Sequence, residues 1–337
     1  MQFLESARNV VKGLGASAIG RVCLALLMLS LLATSLGGCG GQTKGGYLID
    51  VYTRSDACGA GQTWAQYLGN YTQDDLTGTA VYSDPGLEGA VKQDSLAIGY
   101  SNLNYAYDMA SGMQISGIRV VPIDLNGNGR IDTDEDFYAN KTVLLKAIAN
   151  GVYPSPPARD ENIVTKGEFK GIAKEFVRWI LTDGQKYCSE IGYVPLTEEQ
   201  VENQLAKLGN EEPETKLEGK IAISGAFALY PMMGNWTEEF HKLHPGVSFD
   251  LSAGGAGKGM TDALNGMVDI GMVSRGIYPA EIQEGAFWVS VTKDAVVAVV
   301  NAENPVLQEL MTKGMTRQAF TDVWITGNVT DWRDVTR

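Results

Sequence analysis

The sequence predicts an α/β protein whose ligand loops gather at the carboxyl ends of its strands, and three observations carry that prediction. Strand-like apolar runs alternate with helical patterns along almost all of the chain after residue 46. Three strand-to-helix junctions carry loops of small residues: "RSDACGAG" at 54–61, "SGAFA" at 224–228 and "SAGGAGKG" at 252–259. In open α/β sheets, ligands bind where such loops collect. Finally, 337 residues with 44% hydrophobic and 20% charged content suffice for a large buried core.

The N-terminal 39 residues read as an export signal. Arg8, Lys12 and Arg21 precede "VCLALLMLSLLATSL", an apolar run short for a membrane span and suited to a signal core. The run ends in "LGGC", which resembles a bacterial lipobox. That resemblance implies a signal peptide over 1–38 and lipidation of Cys39; the other reading is an uncleaved anchor helix. Both place the bulk of the protein outside the cytoplasm and tethered to a membrane. Once Cys23 is removed and Cys39 lipidated, Cys58 and Cys188 remain, in a compartment that permits disulfides. Their pairing is open at this level.

After a linker at 39–46 come two blocks. The first, 47–205, mixes strands ("YLIDVYT", "LAIGYSNL", "GIRVVPID") with helices ("TWAQYLGNY", "GIAKEFVRWILTDGQKYCSEIG"). A second linker at 206–218 is charged, holds one proline and lacks apolar periodicity. The second block, 219–337, alternates "KIAISG", "ALYPMMGNWTEEFHKLH", "VSFDLSAGG", "GKGMTDALNGM" and "VDIGMVS" as strand, helix, strand, helix, strand.

Charge narrows the function. A net charge of −13 and a pI near 4.7 exclude nucleic-acid binding through phosphate neutralisation. Any bound anion must be held by local donors against the field of the whole protein. Two histidines, His241 and His244, share one helix end and leave little material for a histidine metal site or a Ser-His-Asp triad. The stretch "VYTRSDACGAGQTW", 51–64, sets Arg54 beside bare backbone. Glycine-rich loops at helix starts present unshielded N–H groups that make an anion site beside a cation. The alternative is a strand-to-helix turn with a surface arginine.

The second block resembles the first half of the phosphate-binding proteins of ABC transporters, from "ISGAFALYPMMGNWTEEFHKLHPGVSFDLSAGGAGKGMTDALNGMVDIGMVSRGI" to "FTDVWITGNVTDWRDV". The first block resembles their second half, from "VYTRSDACGAGQTWAQYL" through "SLAIGYSNLNYA" to "IGYVPL". The resemblance implies a two-lobed periplasmic-binding-protein-like fold (type II), circularly permuted, with a hinge between lobes. It also implies an oxyanion held by Arg54, Cys58, Gly59 and Ala60 from one lobe. Ala226, Phe227, Gly255, Ala256, Ser274 and Arg275 face them from the other. The family's hydroxyls are missing: Cys58 stands for a serine, Ala60 for a threonine, and the 225–228 loop has none. Each lost charge-assisted hydrogen bond is worth about 1.5–3 kcal/mol. Lys258 and Ser252 could compensate, or Lys258 could cap a solvated helix face.

One motif stands apart from the family. "DLNGNGRIDTDE", 124–135, fits a twelve-residue EF-hand loop. Asp124, Asn126, Asn128, Asp132 and Glu135 supply side-chain oxygens, Arg130 a carbonyl, and Gly129 the turn. A structural calcium ion is the expectation, against a polar Asx-rich turn.

The sequence thus points to a non-enzymatic, membrane-anchored lipoprotein that binds phosphate or a related oxyanion and delivers it to an ABC permease. The alternative is a calcium-stabilised surface sensor or adhesion protein that has lost phosphate transport.

Overall fold

The computed structural model describes residues 46–209 and 217–335. The export signal, Cys39 and residues 210–216 of the second linker lie outside the described residues. Nine strands form one sheet: β1 Asp50–Arg54, β2 Thr79–Val81, β3 Ala97–Asn102, β4 Ile118–Val120, β5 Ala158–Lys166, β6 Gly219–Gly225, β7 Val247–Ala253, β8 Ile270–Val273 and β9 Ala286–Asn301. Their order is β2-β1-β3-β9-β5-β8-β6-β7, with β4 also paired to β9. Helices of nine or more residues are α1 Gly59–Gly69, α2 Asp84–Gln93, α3 Lys141–Ala149, α4 Gly171–Leu181, α5 Glu198–Leu208, α6 Tyr230–Leu243 and α7 Ala256–Leu264.

Parallel pairs join β1 to β2 and β3, and β6 to β7 and β8. Their crossovers are the helices that the alternating sequence pattern requires. Helix α1 starts where Cys58 Sγ accepts from the Gly61 amide at 3.2 Å and stops where Asn70 turns left-handed. Helix α4 buries Ala173, Phe176, Val177 and Ile180, the i, i+3, i+4 stripe of its sequence. The helical pattern over 171–192 is nonetheless broken at Thr182. There the Gln185 side chain donates to the Ile180 carbonyl at 3.0 Å and to Val291 at 2.8 Å, and the Gly184 carbonyl accepts from Trp236. Tertiary partners have taken the backbone groups that a continuous helix would use.

Two hydrophobic cores lie along the sheet. The first gathers Trp64, Tyr100, Trp324, Phe320 and the 295–300 end of β9. Trp64 meets Phe320 and Trp324 edge-on, at 5.1 and 5.4 Å. The second gathers Phe176, Trp236, Phe240, Ile221, Ile223 and Val289. Strand β9 runs through both. Its 16 residues pair with β5 over Ala286–Ala295 and with β3 over Val296–Val300. Near-continuous burial explains its run of valines and alanines, which shows little alternation. Strand β5 crosses between the cores in the same way, with Ala158 in the first and Ile163 in the second. The two lobes are therefore joined by two antiparallel strands, and the crossing is buried between them.

The lobes do not coincide with the two sequence blocks. The first block sends β5, α4 and α5 into the second lobe, and the second block sends the end of β9 and residues 306–335 into the first. Helix α5 also runs to Leu208, past the expected block end at 205, because Leu208 buries in the second core. Both flanks of the second linker, Leu208 and Leu217, pack on that core. The described ends of the chain meet in the first lobe, where Trp332 donates to the Tyr47 carbonyl and Ile49 to that of Thr330. They meet within that lobe and not at the crossover strands.

Candidate functional site

The three small-residue loops converge between the lobes. The Gly257 amide donates to the Ala57 carbonyl at 3.0 Å, tying the 253–257 loop to the Arg54 loop. Gly59 packs so closely on Ser274 that a Cβ there would lie 2.1 Å from the Ser274 carbonyl oxygen, so only glycine fits. Arg54 and Phe227 meet across the same junction, the guanidinium carbon 5.6 Å from the ring centre.

Arg54 is buried and already paired. Its Nε and Nη2 grip Asp56 at 2.8 and 2.5 Å, and its Nη1 lies 2.6 Å from Asp84. Burial works against its charge, but the Asp84 and Asp56 carboxylates outweigh that and hold it protonated more firmly than a free arginine. Burial raises the Asp84 carboxyl above its usual range, opposed by Arg54. Burial also pushes the Cys58 thiol up to about 11, so it is neutral at pH 7. Cys58 and Cys188 are both free, and they pack in different cores. Gln73 locks the loop, donating to the Asp56 carbonyl at 2.6 Å and accepting from the Cys58 amide at 2.9 Å.

The expected anion ligands divide into two groups. The amides of Gly59 and Ala60 at the start of α1, of Phe227, and of Ala256 at the start of α7 have no hydrogen-bond partner among the described residues. Helix starts with unpaired amides favour an anion. The amides of Ala226 and Gly255, by contrast, donate to Met272 and Gly225. Ser274 is buried against Gly59, and Arg275 is spent on Glu281, at 2.6 and 3.0 Å, and on the Tyr278 ring at 4.0 Å. Neither proposed substitute for the missing hydroxyls reaches the junction, since Lys258 pairs with Asp262 and Ser252 is exposed.

Sequence reasoning missed Asp84, whose signal was ambiguous. "SDPG" reads as a helix start, and Ser83 does cap α2 by accepting from Gly86. An acidic residue in a first turn needs no further explanation. A second missed cluster sits where β5 and β9 cross: Arg159 contacts Asp294 at 2.8 Å, Glu161 at 3.3 Å and Asn102 at 2.5 Å. Glu161 is fully buried, and neither carboxyl oxygen has a hydrogen-bond partner.

The 124–135 loop is wound on its own polar groups. Asp124 accepts from Gly127 at 2.7 Å and Gly129 at 2.9 Å, and Glu135 accepts from Leu125, Asn126 and Asp132. Gly129 sits at φ 78°, the turn the motif requires. Asn126 and Asn128 each donate to Asp132. Among the described residues, no group of three or more His, Cys, Asp or Glu side chains is placed to hold a metal ion. Closure over an ion would have to bring in the two asparagine oxygens. No described helix is long and apolar enough to cross a membrane.

A PBP superfamily domain matches residues 210–337. "Phosphate-binding protein PstS 2" of Streptococcus agalactiae is 28% identical over 332 residues, covering 92% of this chain and 98% of that protein. Its namesake from Streptococcus pneumoniae serotype 4 is 24% identical over 324 residues, covering 90% and 97%. Among solved structures, a phosphate-binding protein of a phosphate ABC transporter from Streptococcus pneumoniae TIGR4 superposes with a TM-score of 0.55. That match is 22% identical and covers 86% of this chain and 99% of the other. With two lobes, two crossover strands and loops gathered between them, the chain shares the fold of that solved structure, and its residues 210–337 match the PBP superfamily domain.

Proposed function

We propose that the chain is an extracytoplasmic solute-binding protein that takes phosphate or a related tetrahedral oxyanion between its lobes and delivers it to an ABC permease. The observation that carries this reading is the group of unpaired amides at Gly59, Ala60, Phe227 and Ala256, on the loops that meet at the junction holding a buried, protonated Arg54. The near full-length relation to proteins named for phosphate binding supports it. Closure of the lobes about β5 and β9 is the working motion. A lipid anchor at Cys39 would hold the receptor at the membrane, and calcium in the 124–135 loop would brace the first lobe. The reversed order of the blocks is read as circular permutation, with the second linker bridging the former ends. A second reading, a surface sensor or adhesion protein that no longer transports phosphate, draws on the pairing of Arg54 with two carboxylates and its cover by Phe227. Calorimetric titration with phosphate, sulfate, molybdate and tungstate separates the two. A saturable heat with any of them supports the receptor, and silence with all four supports the second reading.

A further inference from the structure

A row of buried polar side chains runs from the crossing of β5 and β9 to Arg54. Arg159 on β5 faces Asp294 on β9, its partner in register, and its Nε donates to that carboxylate at 2.8 Å. Its Nη1 donates to Thr63 on α1 at 3.2 Å, and its Nη2 to Asn102 Oδ1 at 2.5 Å. Asn102 ends β3, and its Nδ2 donates to Asp84 Oδ1 at 2.7 Å. Asp84 Oδ2 in turn lies 2.6 Å from Arg54 Nη1. Arg159, Asn102, Asp84 and Arg54 are all buried, so a member that loses its neighbour turns to another protein group instead of water.

Orientation along the row is set from the Arg159 end. An amide carries one accepting oxygen and one donating nitrogen. With a guanidinium on one side and a carboxylate on the other, only one arrangement of Asn102 satisfies both, oxygen to Arg159 and nitrogen to Asp84. That arrangement ties down one carboxylate oxygen, so Asp84 meets Arg54 with the other alone. A carboxylate with both oxygens free grips a guanidinium fork to fork. Released from Asn102, Asp84 would take the N–H groups that Arg54 otherwise keeps for an anion.

We infer that Arg159 and Asn102 are positioning residues for the anion site. Together they hold Asp84 to one nitrogen of Arg54 and keep the rest of that guanidinium open to the ligand. This rests on the solute-binding reading above. Arg159 stands on a crossover strand, so the restraint is anchored where the lobes join.

The test is calorimetry of the folded protein with inorganic phosphate on the parent, Asn102→Ala and Arg159→Lys, with both changes repeated in an Asp84→Asn background. Lysine keeps a charge for Asp294 but lacks the fork that also reaches Asn102 and Thr63. Asn102→Ala leaves the Arg159–Asp294 pair in place and carries the test if Arg159→Lys does not fold. Each single variant should bind phosphate about five-fold more weakly than the parent, or worse. In Asp84→Asn, which offers Arg54 a single acceptor oxygen, either change should cost less than about two-fold. A merely structural role would give the same loss in both backgrounds. Parental affinity in either single variant, or equal losses in the two backgrounds, would overturn the inference and leave the receptor reading standing. No heat from the parent would remove phosphate as the ligand, and the inference with it.

Discussion

Asp84 Oδ2 lies 2.6 Å from Arg54 Nη1, so the central cation of the cleft is paired from within its own lobe by a residue thirty positions away. With Asp56 on its other edge, three of the five guanidinium N–H donors are engaged and the remaining two are left for an incoming anion. Lysine cannot keep both carboxylates, because it lacks the planar fork. Arg54→Lys should therefore weaken oxyanion binding by about 1.5–3 kcal/mol, the worth of a charged hydrogen bond. Asp84→Asn should instead tighten it, since one opposing carboxylate is gone while the contact to Asn102 keeps an acceptor. Calorimetry on both variants checks the pair. Unchanged affinity in Arg54→Lys would return the 54–61 loop to a mere turn.

Cys58 is free and sits at the N-cap of α1, where serine is among the best residues. Cys58→Ser restores a hydroxyl beside the unpaired Gly59 and Ala60 amides without cutting a disulfide. Anion affinity should rise, with a midpoint of thermal unfolding equal to or above that of the parent. A weaker anion complex would count against this position as a ligand.

Glu161 gives the protein a pH signature. Burial, and then the neighbouring Asp294, raise its carboxyl well above the usual range of about 4.5, against the pull of Arg159. A carboxyl raised in the folded state binds a proton that the unfolded chain has already lost, so its contribution to stability is full below about pH 4.5 and declines as pH rises through the raised value. Glu161→Gln keeps the neutral form at every pH. Melting curves from pH 5 to 8 should slope downward less steeply in the variant, with the largest relative gain at the alkaline end. Parallel curves would show that Glu161 is charged in the folded protein.

The 124–135 loop lies apart from the anion loops, and its Asp124 and Glu135 are nearly fully buried. If calcium fills it, chelation should lower the melting midpoint by several degrees and leave anion affinity intact. Glu135→Gln should reproduce that loss in calcium buffer. Protein shown to be metal-free that melts as before would remove calcium from the account.

Much of this architecture is written locally in the chain, and the rest depends on distant partners. Alternating runs and glycine-rich junctions mark β1, β3, β6, β7 and β8 with the helices after them, because each signal sits within about ten residues. The crossover strands carry no such mark. "ARDENIVTK" is too polar to read as a buried strand, and its Arg159 and Glu161 are accommodated only because Asp294, 135 positions after Arg159, faces them. Arg54 is legible as a cation beside bare backbone with Asp56 two positions on, but its second carboxylate, Asp84, and the Phe227 ring come from separate parts of the chain. Gly59 shows the same divide. Its place in a helix start is local, while the reason it cannot be alanine is the carbonyl of Ser274, 215 positions away.

The meeting of Tyr47 with Trp332 has a mechanical consequence. Both described ends of the chain leave from one lobe, locked by the bridge of Leu48 to Asp331. Tension applied at those ends runs through that lobe alone and bypasses β5 and β9. The second lobe hangs in parallel with the load, so a pull that peels β1 from its neighbours would leave α4, α6 and α7 folded around an unstressed core.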